Sequence, residues 1–232
     1  MDTSETLVSR ETTIALGLPP AGDPLREGGN KRQKNGRGVK RNQDRLKIGS
    51  LNVNGINNEQ KRKEVVVQFS ESDLDVLGLQ ETHLVGEGTE EGNKLWEGLR
   101  GIACWSGLKE GYKGKKKEGV AILMSERMSK LVIECRSVNS RVCWAKCKIG
   151  VSKVIFVSAY APVNSETLKG RKDINEFWQM LNGCVCKLQE EGKVVIMGDM
   201  NAKVGDERQG SIVGGWGVEG RNENGEQLIG MC

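Results

Sequence analysis

The feature that most constrains this chain is a set of short apolar runs that each stop at an acidic or hydrogen-bonding side chain. The run 46–51 is followed by Asn52 and Asn54, and Val76-Leu77-Gly78-Leu79-Gln80 by Glu81. The run 154–159 is followed by Tyr160 and Asn164, and Val194-Val195-Ile196-Met197-Gly198 by Asp199 and Asn201. Apolar runs this short, rich in β-branched residues and bounded by turn signals, read as buried strands. Open α/β sheets gather ligands where the carboxyl ends of strands meet the loops. Four strands that end this way predict one shared site.

Between these runs the periodicity changes. Residues 58–70 read as a helix with Val65, Val66 and Phe69 on one face, and 171–191 as a longer one. In the longer helix Ile174, Phe177, Trp178, Leu181, Val185 and Leu188 form a single apolar stripe. Further strands are expected at 102–106 and 119–124, with a basic loop at 113–117 between them. An antiparallel pair is expected at 131–135 and 142–148. After 193–197 comes a glycine-rich loop reaching Gly220, then a helix starting near Asn224. Strands mixed with two amphipathic helices argue for α/β layers in one domain from about residue 46.

Residues 1–45 lack such periodicity and are expected to be a disordered arm. Within it, the stretch from Lys31 to Arg45 holds seven basic residues (Lys31, Arg32, Lys34, Arg37, Lys40, Arg41 and Arg45) and a single acid, Asp44. The whole chain carries a formal charge of only +4, so the arm stands out. A basic arm on a near-neutral domain points to a polyanion partner such as DNA, or to nuclear import. No run is long and apolar enough to span a bilayer, so no membrane partner is expected. The cysteines show no zinc-type spacing and are expected to be reduced core residues. With His83 the only histidine, a histidine-rich metal site is excluded.

The polar strand ends suit a hard cation. Mg²⁺ takes oxygen ligands, commonly one or two carboxylates, and keeps several waters. Glu81 can supply the carboxylate and Asn52 a neutral oxygen. Asp199 can orient or deprotonate a water, and Asn201 can hold that water or a phosphate oxygen. Amide and phenol donors complete a set fitted to attack on a phosphodiester. Singly, each residue has an ordinary structural meaning: a cap, a turn, or a solvated acid. His83 reads as a surface residue. Trp96, Trp105, Trp144 and Trp178 read as core, leaving Trp216 as the one tryptophan placed to meet a substrate.

In order as well as type, these residues resemble the exonuclease/endonuclease/phosphatase superfamily. Leu46-Lys47-Ile48-Gly49-Ser50-Leu51-Asn52-Val53-Asn54-Gly55 resembles its opening motif, and Leu79-Gln80-Glu81-Thr82-His83 its metal-binding motif. Gly119-Val120-Ala121-Ile122-Leu123 resembles the strand that follows. Ser158-Ala159-Tyr160-Ala161-Pro162-Val163-Asn164 and Gly198-Asp199-Met200-Asn201 resemble two later motifs. The branch it most resembles is the endonuclease domains of non-LTR retrotransposons and host proteins derived from them.

The resemblance implies a four-layer α/β sandwich, two mixed β-sheets flanked by helices, and Mg²⁺-dependent (or Mn²⁺-dependent) nicking of DNA. It implies metal contacts from Glu81 and Asn52, and a phosphate or leaving-group contact from Tyr160. It implies acid/base work by Asp199, with Asn201 as its partner. Asn164 and Arg141 are candidates for substrate contact. Two departures stand out. Asn54 replaces a family aspartate, and no histidine follows Asn201, where the family carries a terminal Ser-Asp-His motif. The domain 46–232 is therefore expected to be incomplete at its C-terminus and impaired as an enzyme. The alternatives are a non-catalytic relic that binds nucleic acid or protein, and an inositol or lipid phosphatase of the same superfamily.

Overall fold

The computed structural model describes residues 45–91, 94–114 and 117–232, together with the backbone of 10–12. The basic run, apart from Arg45, and most of the predicted arm lie outside the described residues. Two sheets form the centre. Strands β1 (Arg10–Thr12), β2 (Ile48–Asn52), β3 (Val76–Gln80), β4 (Glu87–Glu91), β5 (Gly101–Ser106) and β6 (Val120–Ser125) make the first, in the order β1-β2-β3-β6-β5-β4. Strands β7 (Val132–Asn139), β8 (Val142–Ile149), β9 (Ser152–Tyr160) and β10 (Lys193–Asp199) make the second, in the order β10-β9-β8-β7. Each sheet contains one parallel pair, β2 with β3 and β9 with β10, among antiparallel neighbours, so both are mixed.

Three apolar layers hold four layers of structure together. Alternation along each strand sends successive side chains to opposite faces. On β3, Val76 faces the second sheet, while Leu77 and Leu79 face outward. On β9, Val154, Phe156 and Tyr160 face inward, while Ile155, Val157 and Ala159 face outward. The inner layer joins Ile48, Val76, Ile122 and Met124 of the first sheet to Ala145, Phe156 and Met197 of the second.

Helix α1 (Glu59–Glu71) covers the outer face of the first sheet with Val65, Val66 and Phe69. Its start is fixed by Asn58, whose side chain accepts from the Gln60 amide at 2.7 Å. Helix α3 (Leu168–Gln189) covers the second sheet with the predicted stripe of six side chains. It begins three residues before the predicted start because Thr167 caps it, accepting from the Gly170 amide at 3.1 Å. A short helix α2 (Glu126–Ser129) follows β6, and α4 (Glu223–Met231) closes the described chain. The two sheets with their flanking helices are the α/β sandwich the sequence led us to expect.

Strands β1, within the stretch expected to be a disordered arm, and β4, together with helix α2, were not expected, and β7 is longer than expected. Strand β4 reads Glu-Gly-Thr-Glu-Glu, an acidic stretch with no apolar alternation, and it owes its form to pairing with β5. Strand β7 runs four residues beyond its expected end, through a register shift near Ser137. Trp96 and Trp178 are fully buried, whereas Trp105 and Trp144 pack half-buried against the edges of the core. Among the described residues no helix is long and apolar enough to cross a membrane, which says nothing of a β-barrel.

Candidate active site

Parallel pairing decides where the polar strand ends go. Because β2 and β3 run the same way, with Asn52 level with Gln80, Asn52 and Glu81 emerge side by side. Because β9 and β10 run the same way, Tyr160 and Asp199 are level with each other. Both pairs point their carboxyl ends to one rim of the sandwich, and the packed sheets bring the pairs together there. One nitrogen joins them: Asn52 Nδ2 donates to Glu81 Oε1 and to Asp199 Oδ2, each at 2.9 Å. The Tyr160 hydroxyl donates to the same Glu81 Oε1 at 2.8 Å. Below this cluster the inter-sheet layer is already polar. Gln80 accepts from Ser50 and donates to Ser158, which donates to the Leu79 carbonyl.

The remaining predicted residues stand around this centre. The Asn201 backbone amide donates to Asp199 Oδ1 at 3.0 Å, and its side-chain amide donates to the Ala161 carbonyl at 2.8 Å. Asn164 Nδ2 donates to the Asn201 carbonyl at 2.9 Å. Arg141 is brought beside Tyr160 because Val142 of β8 is level with Ala159 of β9. Its guanidinium lies over the Tyr160 ring, 5.1 Å from the centroid, and donates to the Tyr160 carbonyl at 3.2 Å. It also donates to Glu118 Oε1 at 2.9 Å. All seven predicted residues therefore sit at one rim. Asn52, Glu81, Tyr160 and Asp199 touch directly, whereas Arg141, Asn164 and the Asn201 side chain are engaged with supporting groups.

The backbone of the rim is unusual. Asn54, Glu81, His83 and Asn201 have positive φ values of 43°, 52°, 56° and 46°. Residues other than glycine rarely adopt this left-handed conformation, and each such residue costs roughly 1–3 kcal/mol unless its surroundings fix it. Here the surroundings do fix it. The Glu81 carbonyl accepts from the Gly55 amide at 2.7 Å, and the His83 amide donates to the Glu118 carbonyl at 2.9 Å.

The electrostatics follow from the contacts. Burial raises the cost of charging Glu81. Hydrogen bonds from Asn52 and Tyr160, with the nearby His83 imidazole, outweigh it, so its pKa lies below the ordinary carboxylate value. Burial pushes the Tyr160 hydroxyl up, and donation to Glu81 and the charge on Glu81 push it further. At neutral pH the centre therefore combines an ionised Glu81 with a phenol that keeps its proton.

Two contributors were missed by sequence reasoning. His83, expected at the surface, is mostly enclosed. Its Nε2 lies 3.6 Å from Glu81 Oε2 and is buried without a hydrogen-bond partner. Gly55 makes room for it, since a Cβ there would come within 2.6 Å of His83 Nδ1. Its place two residues after Glu81 was the available signal. Glu118 was hidden at the end of a lysine-rich loop, and its ion pair with Arg141 and a hydrogen bond from the Ser140 hydroxyl distinguish it.

Residues 49–216 match the Endonuclease/Exonuclease/phosphatase family. Craniofacial development protein 2 of Bos taurus is 25% identical over 186 residues, 80% of this chain and 29% of its own length. The same protein of Tragulus javanicus is 24% identical over 185 residues, 80% of this chain and 30% of its own. The chain thus spans less than a third of the curated relatives it matches. A 3′ phosphatase, NExo, from Neisseria, solved with a product DNA hairpin, is 21% identical with a TM-score of 0.48, covering 69% of this chain and 60% of that one. The endonuclease domain of TRAS1, a telomere-specific non-LTR retrotransposon, is 10% identical with a TM-score of 0.47, covering 80% and 68%. With the match covering well over half of its length, the chain belongs to the Endonuclease/Exonuclease/phosphatase family.

Proposed function

We propose that this chain carries the cation- and phosphate-binding part of a Mg²⁺-dependent DNA endonuclease site, with Mn²⁺ as an acceptable substitute. The observation that carries the proposal is the Asn52 amide placed 2.9 Å from both Glu81 and Asp199, carboxylates contributed by different sheets. Family members generally depend on a divalent metal, and the donor set fits one. Among the described residues no three or more histidine, cysteine, aspartate and glutamate side chains group into a metal cage. Two carboxylates suit Mg²⁺, which is commonly held by one or two of them and keeps several waters. Glu81 would hold the ion together with the Asn52 oxygen, which accepts from the Asn54 amide at 3.0 Å and would turn toward the ion, and the ion would supply charge neutralisation at the phosphate.

The chain's own groups do the rest. Tyr160, its phenol protonated, donates toward the centre and can bind a phosphate oxygen in place of Glu81. Asp199, fixed through one oxygen by the Asn201 amide, orients a water or takes its proton. Asn201 and Asn164 shape the wall beside it, and Arg141 holds Tyr160 from behind.

DNA is favoured over a lipid or inositol phosphate by the basic run 31–45, which also suits nuclear import. Nicking of supercoiled plasmid with Mg²⁺ tests the proposal. Weak nicking that Glu81→Ala abolishes is expected, and equal cleavage by both proteins overturns it. Phosphate release from inositol polyphosphates faster than nicking would transfer the site to the other substrate class. Deleting residues 31–45 should weaken DNA binding and flatten its salt dependence.

A further inference from the structure

One carbonyl at the rim draws an unusual number of donors. The Asn201 carbonyl accepts from Asn164 Nδ2 at 2.9 Å, Asn222 Nδ2 at 3.0 Å and Asn224 Nδ2 at 3.4 Å. A carbonyl has two lone pairs, so three amides crowding it fix its direction closely. Asn201 is the left-handed residue whose own amide holds Asp199 Oδ1.

Asn224 anchors this arrangement. It is fully buried, and its capacity is filled. Nδ2 donates also to the Pro162 carbonyl at 2.8 Å, Oδ1 accepts from Trp178 Nε1 at 2.8 Å, and the backbone amide donates to Asn164 Oδ1 at 3.4 Å. A buried polar network satisfied throughout is rigid, whereas an unsatisfied member is costly. Asn222 completes the seat. Its Oδ1 accepts from the Lys203 and Gly225 amides at 2.9 and 2.8 Å, capping α4 while tying it to the segment after Asn201. Gly225 permits that approach, because a Cβ there would lie 1.8 Å from the Lys203 carbonyl.

From this we infer that Asn222 and Asn224, at the start of α4, are positioning residues for Asp199. They lock the left-handed turn at Asn201, and through it the direction of the Asp199 carboxylate. Trp178 of α3 steadies Asn224 from behind. Helix α4 thus serves the site rather than only covering the second sheet. The inference rests on the proposed function in taking Asp199 as part of a working site.

The test uses the full chain, ¹⁵N-labelled, with Mn²⁺ as the probe. Asn224→Asp keeps the shape but sets an acceptor against the Pro162 and Asn201 carbonyls. Amide-proton exchange at Asn201 should rise about 10-fold or more, while core amides such as that of Phe156 keep their rates. Mn²⁺ affinity should fall about 10-fold, the usual consequence of losing support behind a metal site. Trp178→Phe, which leaves both Asn224 donors in place, should move both readouts less. Unchanged exchange at Asn201, or equal acceleration of every amide, overturns the inference. Should Asn224→Asp not fold, Asn222→Ala, half-buried and removing one donor to the Asn201 carbonyl together with the α4 cap, must speed Asn201 exchange beyond that of the other α4 amides or the inference fails. If the parent chain binds no Mn²⁺, the metal-dependent function fails, while Asn201 exchange still decides the positioning role.

Discussion

The rim and the second sheet each set a pair of carboxylates around one nitrogen, and they differ in the charge of that nitrogen. At the rim, Asn52 Nδ2 stands 2.9 Å from Glu81 and 2.9 Å from Asp199. On the second sheet, Lys146 Nζ stands 2.9 Å from Glu134 and 2.6 Å from Glu191. The lysine is buried and stacks over the Trp144 ring, 5.2 Å from the centroid. Its charge cancels one of the two it faces, and the cluster ties β7, β8 and the end of α3 together. The asparagine cancels nothing. It orients two acids while leaving their negative charge in place, at a rim whose backbone is held in left-handed turns. A cluster closed by an ammonium is a structural clamp. One closed by a neutral amide keeps its charge for a cation brought from outside.

Substitutions can break this contrast from either side. The largest effect is expected from Glu81→Ala, which should lower Mn²⁺ affinity and any plasmid nicking at least about 100-fold, about 2.7 kcal/mol. Thermal stability should hold or rise, because removing an acid from an electronegative site relieves repulsion. Calorimetric titration beside a melting curve reads both. Asn52→Ala leaves the acids without their shared donor. Mn²⁺ affinity should then drop about 10-fold, with less effect than the loss of Glu81.

The clamp should answer in the opposite way. Lys146→Met leaves Glu191 beside an apolar side chain and Glu134 with Arg136 alone, so the melting midpoint should fall by several degrees. Mn²⁺ affinity at the rim should stay at the parent value. A loss of metal binding without a loss of stability would show that the two clusters have been assigned the wrong way round. The smallest effect concerns pH. Hydrogen bonds from Lys146 and then Arg136 hold the Glu134 pKa below its ordinary value. A carboxylate lowered in the folded state stabilises the protein above its unfolded pKa, and this contribution is lost as pH falls through the folded one. Glu134→Gln should therefore be less stable than the parent near neutrality and converge with it on acidification, as followed by denaturant titration across pH.

Much of the fold was legible because burial leaves a periodic trace. The α3 stripe repeats at helical spacing, and β3, β9 and β10 are apolar runs ended by polar residues, so type and approximate bounds could be read directly. Strand β4 leaves no such trace. Its residues alternate between exposed and half-buried, and only the ladder to β5 makes it a strand. The site was legible as a set of positions, since all seven predicted residues reach one rim. The state of their donors was not. Arg141 and Asn164 were read as candidates for phosphate or structural contacts and Asn201 as a partner on phosphate or water, and each side chain here meets a backbone carbonyl, Arg141 also Glu118. Asn222 and Asn224 look like ordinary helix-start residues until Asn201 is found beside them.

The sequence by itself determined the apolar periods, the strand ends and the order of the motifs, because each depends on neighbours a few residues away. Tertiary structure alone decided which nitrogen meets which oxygen. Asn52 and Asp199 lie 147 positions apart, and their 2.9 Å contact exists only because two sheets pack with their parallel strands ending at one rim. Hydrogen bonds act over about 3 Å, so a choice between charge-neutral and charge-cancelling partners is settled only after the chain has folded.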